Sequence, residues 1–174
     1  MGGSIPLTNE MLIAKGIPEA FLMALGMHIL TQTKINWRKL IIMFLILFLM
    51  ATGLRALRLS SGINTVLSLF GVLVIFQFLY RSGLQEIIRT IIAPIVILIF
   101  ISIAEILNLM VLVMFYGMET ASTLIRTPNG WIQCLYSAPS TIVFALLLAA
   151  AYAVLKSIRK RKKENGDLGE ETRE

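Results

Sequence analysis

Charged and amide side chains interrupt apolar runs at only a few places in this chain, and those places are where chemistry would have to happen. Thr90–Met118 reads TIIAPIVILIFISIAEILNLMVLVMFYGM, 29 residues with one charge, Glu105, and one amide, Asn108. Glu19, Arg55 and Arg58 flank other apolar runs in the same way. Two carboxylates can act as an acid/base pair, and opposite charges can pair. A ring of such groups can also line a ligand path, the usual meaning of ionisable residues inside a membrane segment.

Other chemistry is poorly supplied. His28 is the single histidine and Cys134 the single cysteine. His28 lies 6 residues from Lys34, roughly 9 Å along a helix, while Cys134 is expected near the opposite surface. A Cys–His dyad needs hydrogen-bond reach of about 3 Å, so His28 reads as a packed interhelical hydrogen-bonder. Neither a G-x-S-x-G elbow nor a P-loop is present, and no Cys/His pair has metal-ligand spacing. The expectation is a protein without catalytic residues, metal or cofactor.

Composition says what must position these groups. Of the 174 residues, 57% are hydrophobic and 15% charged, and the mean hydropathy is +0.81. Soluble domains hold about 25% charged residues. Lipid is therefore the natural solvent, and unpaired amides in lipid force helices. Apolar runs bounded by charge predict an all-α, polytopic transmembrane bundle of five spans: Ile17–Thr33, Trp37–Leu57, Ile63–Tyr80, Ile88–Leu107 and Ser140–Lys156. Two alternatives stay open for Leu109–Gly117: it joins the fourth span, or it makes a sixth, shallow helix of its own. Residues 1–16 read as an interfacial segment, 17–156 as the membrane domain, and 157–174 as a basic, then acidic, disordered cytoplasmic tail. Residues 1–14 lack the Lys or Arg of a signal peptide, and Pro6 breaks the myristoylation pattern.

Basic residues set the expected orientation. Lys156, Arg159, Lys160, Arg161, Lys162 and Lys163 follow the last span, and Lys34, Arg38, Lys39, Arg81 and Arg89 share their side. Only Lys15, Arg55, Arg58 and Arg126 fall opposite. The C-terminus is expected inside and the N-terminus outside, multi-pass in the plasma membrane. Trp37, Tyr80 and Tyr152 fall at predicted inner ends, and Tyr116, Trp131 and Tyr136 at or beyond outer ends, as an aromatic belt should. The pI near 9.8 does not imply nucleic acid, because the SIRKRKK cluster directly follows a span and reads as a contact to anionic lipid.

Counting outward from the inner charges puts Glu105, Arg55 and Glu19 at one height, roughly 22–24 Å up at about 1.5 Å per residue. Asn64, Asn108 and Arg58 join them. Two readings stay open for this layer. It is either a set of helix ends in a thinned bilayer, with Glu105 paired to Arg55, or the floor of an outward-facing pocket. Leu109–Pro139 is expected to cap it, first as an apolar stretch that lies in or re-enters the outer leaflet, then as a short interfacial hairpin or two amphipathic half-helices about the turn at Pro128-Asn129-Gly130, with Trp131 beside it. Glu19, Arg55, Arg58, Glu105, Asn108 and Trp131 are the candidate ligand-binding residues.

The opening IPEAFLMALG, the closely spaced short spans, AEILNL in the fourth span and the basic exit resemble the membrane sensor region of AgrC-like, peptide-sensing bacterial histidine kinases over residues 11–163. The resemblance implies a membrane half that binds a secreted peptide and an exit helix that signals to a kinase. Only 11 residues follow Lys163, so it further implies a sensor-like module without the kinase half, acting on a sensor-kinase or other membrane partner, or on a second copy of itself. Ala145, Ala149, Ala150, Ala151 and Ala153 would offer a close-approach face. The competing expectation is a small substrate-binding or transport component. Against it, the span centres FLILFLM and IVILIFI carry no polar group, where a solute path usually has them.

Overall fold

Apolar runs in lipid must close their own backbone hydrogen bonds, and helix is the only regular structure among the described residues. The computed structural model describes residues 12–56, 61–80, 84–125, 127 and 129–171, with their side chains except at 12, 55, 56, 61–66, 84–86 and 162–171. A π-helical turn at Leu12–Gly16 leads into α1 (Ile17–Thr31), α2 (Trp37–Ala56) and α3 (Ser61–Tyr80). Then come α4 (Leu84–Tyr116), α5 (Met118–Ile125) and α6 (Gly130–Glu171). Four stretches are long and apolar enough to cross a membrane: Ile13–Thr31, Trp37–Leu54, Ile87–Tyr116 and Gly130–Arg161. The shorter apolar stretch Leu67–Tyr80 belongs to α3. The chain is a helical membrane protein.

Local chemistry sets most helix ends. Pro18 lies in the first turn of α1, where a missing N–H leaves no bond unmade. The helix closes at Gln32, left-handed at φ 56°, with its amide on Ile29 O at 3.2 Å. Asn36 starts α2, its Oδ1 accepting Arg38 N at 3.1 Å, the usual Asn cap. Gly117, at φ 79°, breaks the chain between α4 and α5 in a conformation only glycine adopts without strain.

Of the two alternatives open for Leu109–Gly117, joining the fourth span is the one observed, and the stretch is neither re-entrant nor a shallow sixth helix. It continues α4, whose 33 residues run to the Gly117 break, so Leu107 does not end the fourth span. Ser140 does not open the fifth span. Gly130 does, and Pro139 lies inside α6. Of the hairpin and the two half-helices, the second is the nearer: helices flank the turn, the short α5 before it and the first turns of the long α6 after it. Past residue 157, α6 runs on as helix as far as Glu171. A helix already nucleated adds one hydrogen bond per residue fixed, and Lys, Arg and Glu are good helix formers.

α1 is the hub. It packs on α2, α4 and α6, while α3 joins α2 to α4. Ala24, Met27, Met43, Leu47, Val72, Phe76, Ala93, Ile97, Ala104, Phe144 and Leu148 form one buried cluster. Small residues at helix contacts let backbones approach where lipid offers no hydrophobic drive. Gly26 shows the limit, since a Cβ there would lie 3.1 Å from Leu148 Cδ2 and 3.3 Å from Ile97 Cδ1. Ala149, Ala150 and Ala153 are exposed, so α6 packs within the bundle through Phe144 and Leu148 instead. Ile91, Ile95, Ile99, Ile103 and Ile106 stay exposed along α4. Helices apolar on every side suit a lipid surround.

Candidate functional site

Polar groups gather at both ends of the bundle and are scarce between. At one end, Lys15 on the π-helical turn reaches α4, with Nζ 3.5 Å from Glu105 Oε1. Lys15 is well covered and the Glu105 side chain is 56% exposed. Glu19 follows Lys15 by one helical turn. Glu19, Glu105, Ser140 and Thr141 line a crevice of about 10 Å³ between α1, α4 and α6, closed below by Ala104 and Phe144. That volume holds about one water. Chemically the site is a joint: the crevice brings two carboxylates together, and the Lys15 ammonium beside it pairs with one of them, Glu105.

One turn further along α4, Asn108 donates Nδ2 to Tyr136 O at 2.9 Å. Pro139, three residues on inside α6, removes the amide that Leu135 O would otherwise accept. Proline removes one intrahelical donor and crowds the preceding turn, and membrane helices recover such carbonyls with side chains. Ser140 Oγ donates to Ser137 O at 2.7 Å, and Ser137 Oγ to Cys134 O at 3.3 Å. These three bonds go to Tyr136 O, Ser137 O and Cys134 O, carbonyls on either side of the one the proline frees. Tyr116 and Tyr136 meet edge to face at 5.6 Å just beyond.

The expected site residues therefore divide. Glu19 and Glu105 come together as the equal-height count requires. Asn108 sits one turn away, engaged with α6. Trp131 is 68% exposed at the start of α6, its amide on Asn129 Oδ1 at 3.2 Å, and does not line the crevice. Arg55 belongs to the last turn of α2, but its side chain, like that of Asn64, lies outside the described residues, as does all of Arg58. The partner seen for Glu105 is Lys15, not named among the site residues. Its spacing four residues before Glu19 was the available signal, since i and i+4 share a helix face.

At the other end, His28 bridges α1 and α3. A carbonyl can only accept, so His28 Nδ1 donates to Ala24 O at 2.7 Å, and in the neutral ring Nε2 accepts the Tyr80 hydroxyl at 2.5 Å. Phe76 stacks on Tyr80 at 4.7 Å and meets His28 edge-on at 5.7 Å. Lys39 lies over the Tyr80 ring at 4.7 Å and donates Nζ to Leu79 O at 2.9 Å. Arg159 of α6 donates to Gln32 Oε1 at 2.9 Å, tying the exit helix to the end of α1. The interhelical role read for His28 in the sequence is the one it performs.

No known family model, no curated protein and no solved structure matches this chain.

Proposed function

We propose that the protein is a non-enzymatic sensory or regulatory module of the cell membrane, acting through a membrane partner, with the Lys15–Glu105 joint as the part that responds. The observation that carries this reading is the reach of α6. The same helix places Ser140 in the charged crevice and Arg159 on Gln32 at the far end of α1. The two residues are 19 positions apart, about 29 Å along a helix. A ligand that draws Lys15 off Glu105 loosens α1 against α4 and α6 at one end, and a stiff helix delivers that shift to the other. With the N-terminus outside, the joint faces the exterior and the basic exit faces the cytoplasm. The span centres FLILFLM and IVILIFI, without polar groups, favour this reading over a transport component.

The test places spin labels at Lys34→Cys and Arg161→Cys in a Cys134→Ser background. Distance distributions are compared with and without Glu105→Gln. The regulatory reading expects the mean to move by about 2 Å or more, the scale of helix shifts in switching proteins. Superimposable distributions contradict it, and so does vesicle uptake of any solute that depends on Glu105.

A further inference from the structure

The loop between α1 and α2 forms a second concavity that the proposed joint does not use. Residues Thr33–Lys39, with Tyr80 of α3, enclose an open groove of about 730 Å³. It lies where one apolar stretch ends at Thr31 and the next begins at Trp37, hence at headgroup depth. Its charged lining residues are Lys34, Arg38 and Lys39, with no acid among them. Lys34 and Arg38 are exposed, and neither side chain meets a carboxylate among the described residues. Lys39 is held differently, by Leu79 O and the Tyr80 ring, so its charge is a fixed wall of the groove. Arg159, on Gln32, adds a further cation beside it.

An apolar track leaves the same groove. Trp37, Ile41, Leu45 and Leu49 are 67%, 51%, 49% and 67% exposed. Their spacing of four residues makes one stripe along α2. Two free cations at the head of an exposed apolar stripe match one ligand shape: an anionic phosphodiester with a hydrocarbon chain running down the helix.

We propose that this groove is a binding site for an anionic phospholipid, with Lys34 and Arg38 on the phosphate and the acyl chain along Trp37–Leu49. Basic pockets at helix ends hold such headgroups, and an exposed Trp is at home at that depth. The apolar stripe favours a lipid over a soluble phosphate, which would leave it unused.

Trp131→Phe leaves Trp37 as the one tryptophan of the two in the chain, so its fluorescence reports this groove. The full chain is reconstituted in phosphatidylcholine vesicles and quenched with chain-brominated phosphatidylglycerol or chain-brominated phosphatidylcholine. The expected result is roughly thirtyfold selectivity for the anionic lipid, from two cations near the surface. Lys34→Gln with Arg38→Gln abolishes it, Lys34→Arg with Arg38→Lys retains it, and Lys160→Gln with Arg161→Gln leaves it unchanged. Equal quenching by both lipids in the parent overturns the proposal. Loss of selectivity in the Lys160/Arg161 variant overturns it in favour of general attraction by the exit helix. Displacement by millimolar inorganic phosphate overturns it in favour of a soluble-anion site.

Discussion

Replacing Gly26 by Leu lowers stability by about 3 kcal/mol, the upper range for forcing new atoms into a packed interior, whereas Gly26→Ala stays within about 1 kcal/mol of the parent. The difference follows from where the new atoms go. A lone Cβ meets Leu148 Cδ2 at 3.1 Å and Ile97 at 3.3 Å, so two flexible side chains must each give by a few tenths of an ångström. Alanine's higher helix propensity, worth roughly 0.8–1 kcal/mol over glycine, offsets that crowding. A leucine carries three more carbons into a junction where α1 meets both α4 and α6, and it gains nothing further from propensity. Unfolding in mixed micelles of rising sodium dodecyl sulfate reads the difference. Leu148→Ala recovers part of the loss in the Gly26→Leu background, because it vacates the volume the new side chain needs. Failure of that rescue places the defect elsewhere than at the contact of α1 with α6.

His28→Ala lowers stability by about 2–3 kcal/mol, combining a cavity with a lost interhelical bond. His28 is 1% exposed and packs edge-on against Phe76 and Tyr80. Truncation leaves the Tyr80 hydroxyl without Nε2 and leaves the two rings against empty space. Tyr80→Phe removes only the hydroxyl and costs about 1 kcal/mol, near the values measured for hydrogen bonds between membrane helices. The same micelle titration separates the two variants. Equal losses would show that the bond carries the whole effect and that the packing around His28 is slack.

Most helix positions were legible because charge brackets apolar length. Ile17, Trp37 and Tyr80 are real ends, and the expected boundaries of the first three spans fall within two residues of those observed. The two misplaced boundaries share a cause. Glu105 and Asn108 look like the edge of a span, but α4 continues past them because each side chain finds a partner, Lys15 and Tyr136 O. The stop is Gly117, whose positive φ ends the helix. Ser140 looks like a first turn because Pro139 precedes it, but membrane helices tolerate an internal proline, and this helix starts nine residues before Pro139 at Gly130.

The site was legible in height and not in azimuth. Residue counting along each helix places Glu19 and Glu105 level, since rise per residue is constant. It does not tell which way each helix is turned, because a span apolar on every side has no polar face to orient it. Rotation is set by packing at residues such as Gly26 and Ala104, and it brings Lys15 to Glu105. The groove at Thr33–Lys39 escaped for a related reason. Its cations read as a topology signal, and only the fold shows Tyr80 closing the other wall.

The charged joint between the start of α1 and the middle of α4 is most directly tested by charge exchange. Lys15→Glu and Glu105→Lys are made singly and together, and each unfolding free energy is measured. The account predicts that each single variant loses stability and that the double variant recovers most of it, with a coupling of about 1 kcal/mol for a part-exposed pair. Losses that simply add would mean that Lys15 and Glu105 do not meet, and the joint would not exist.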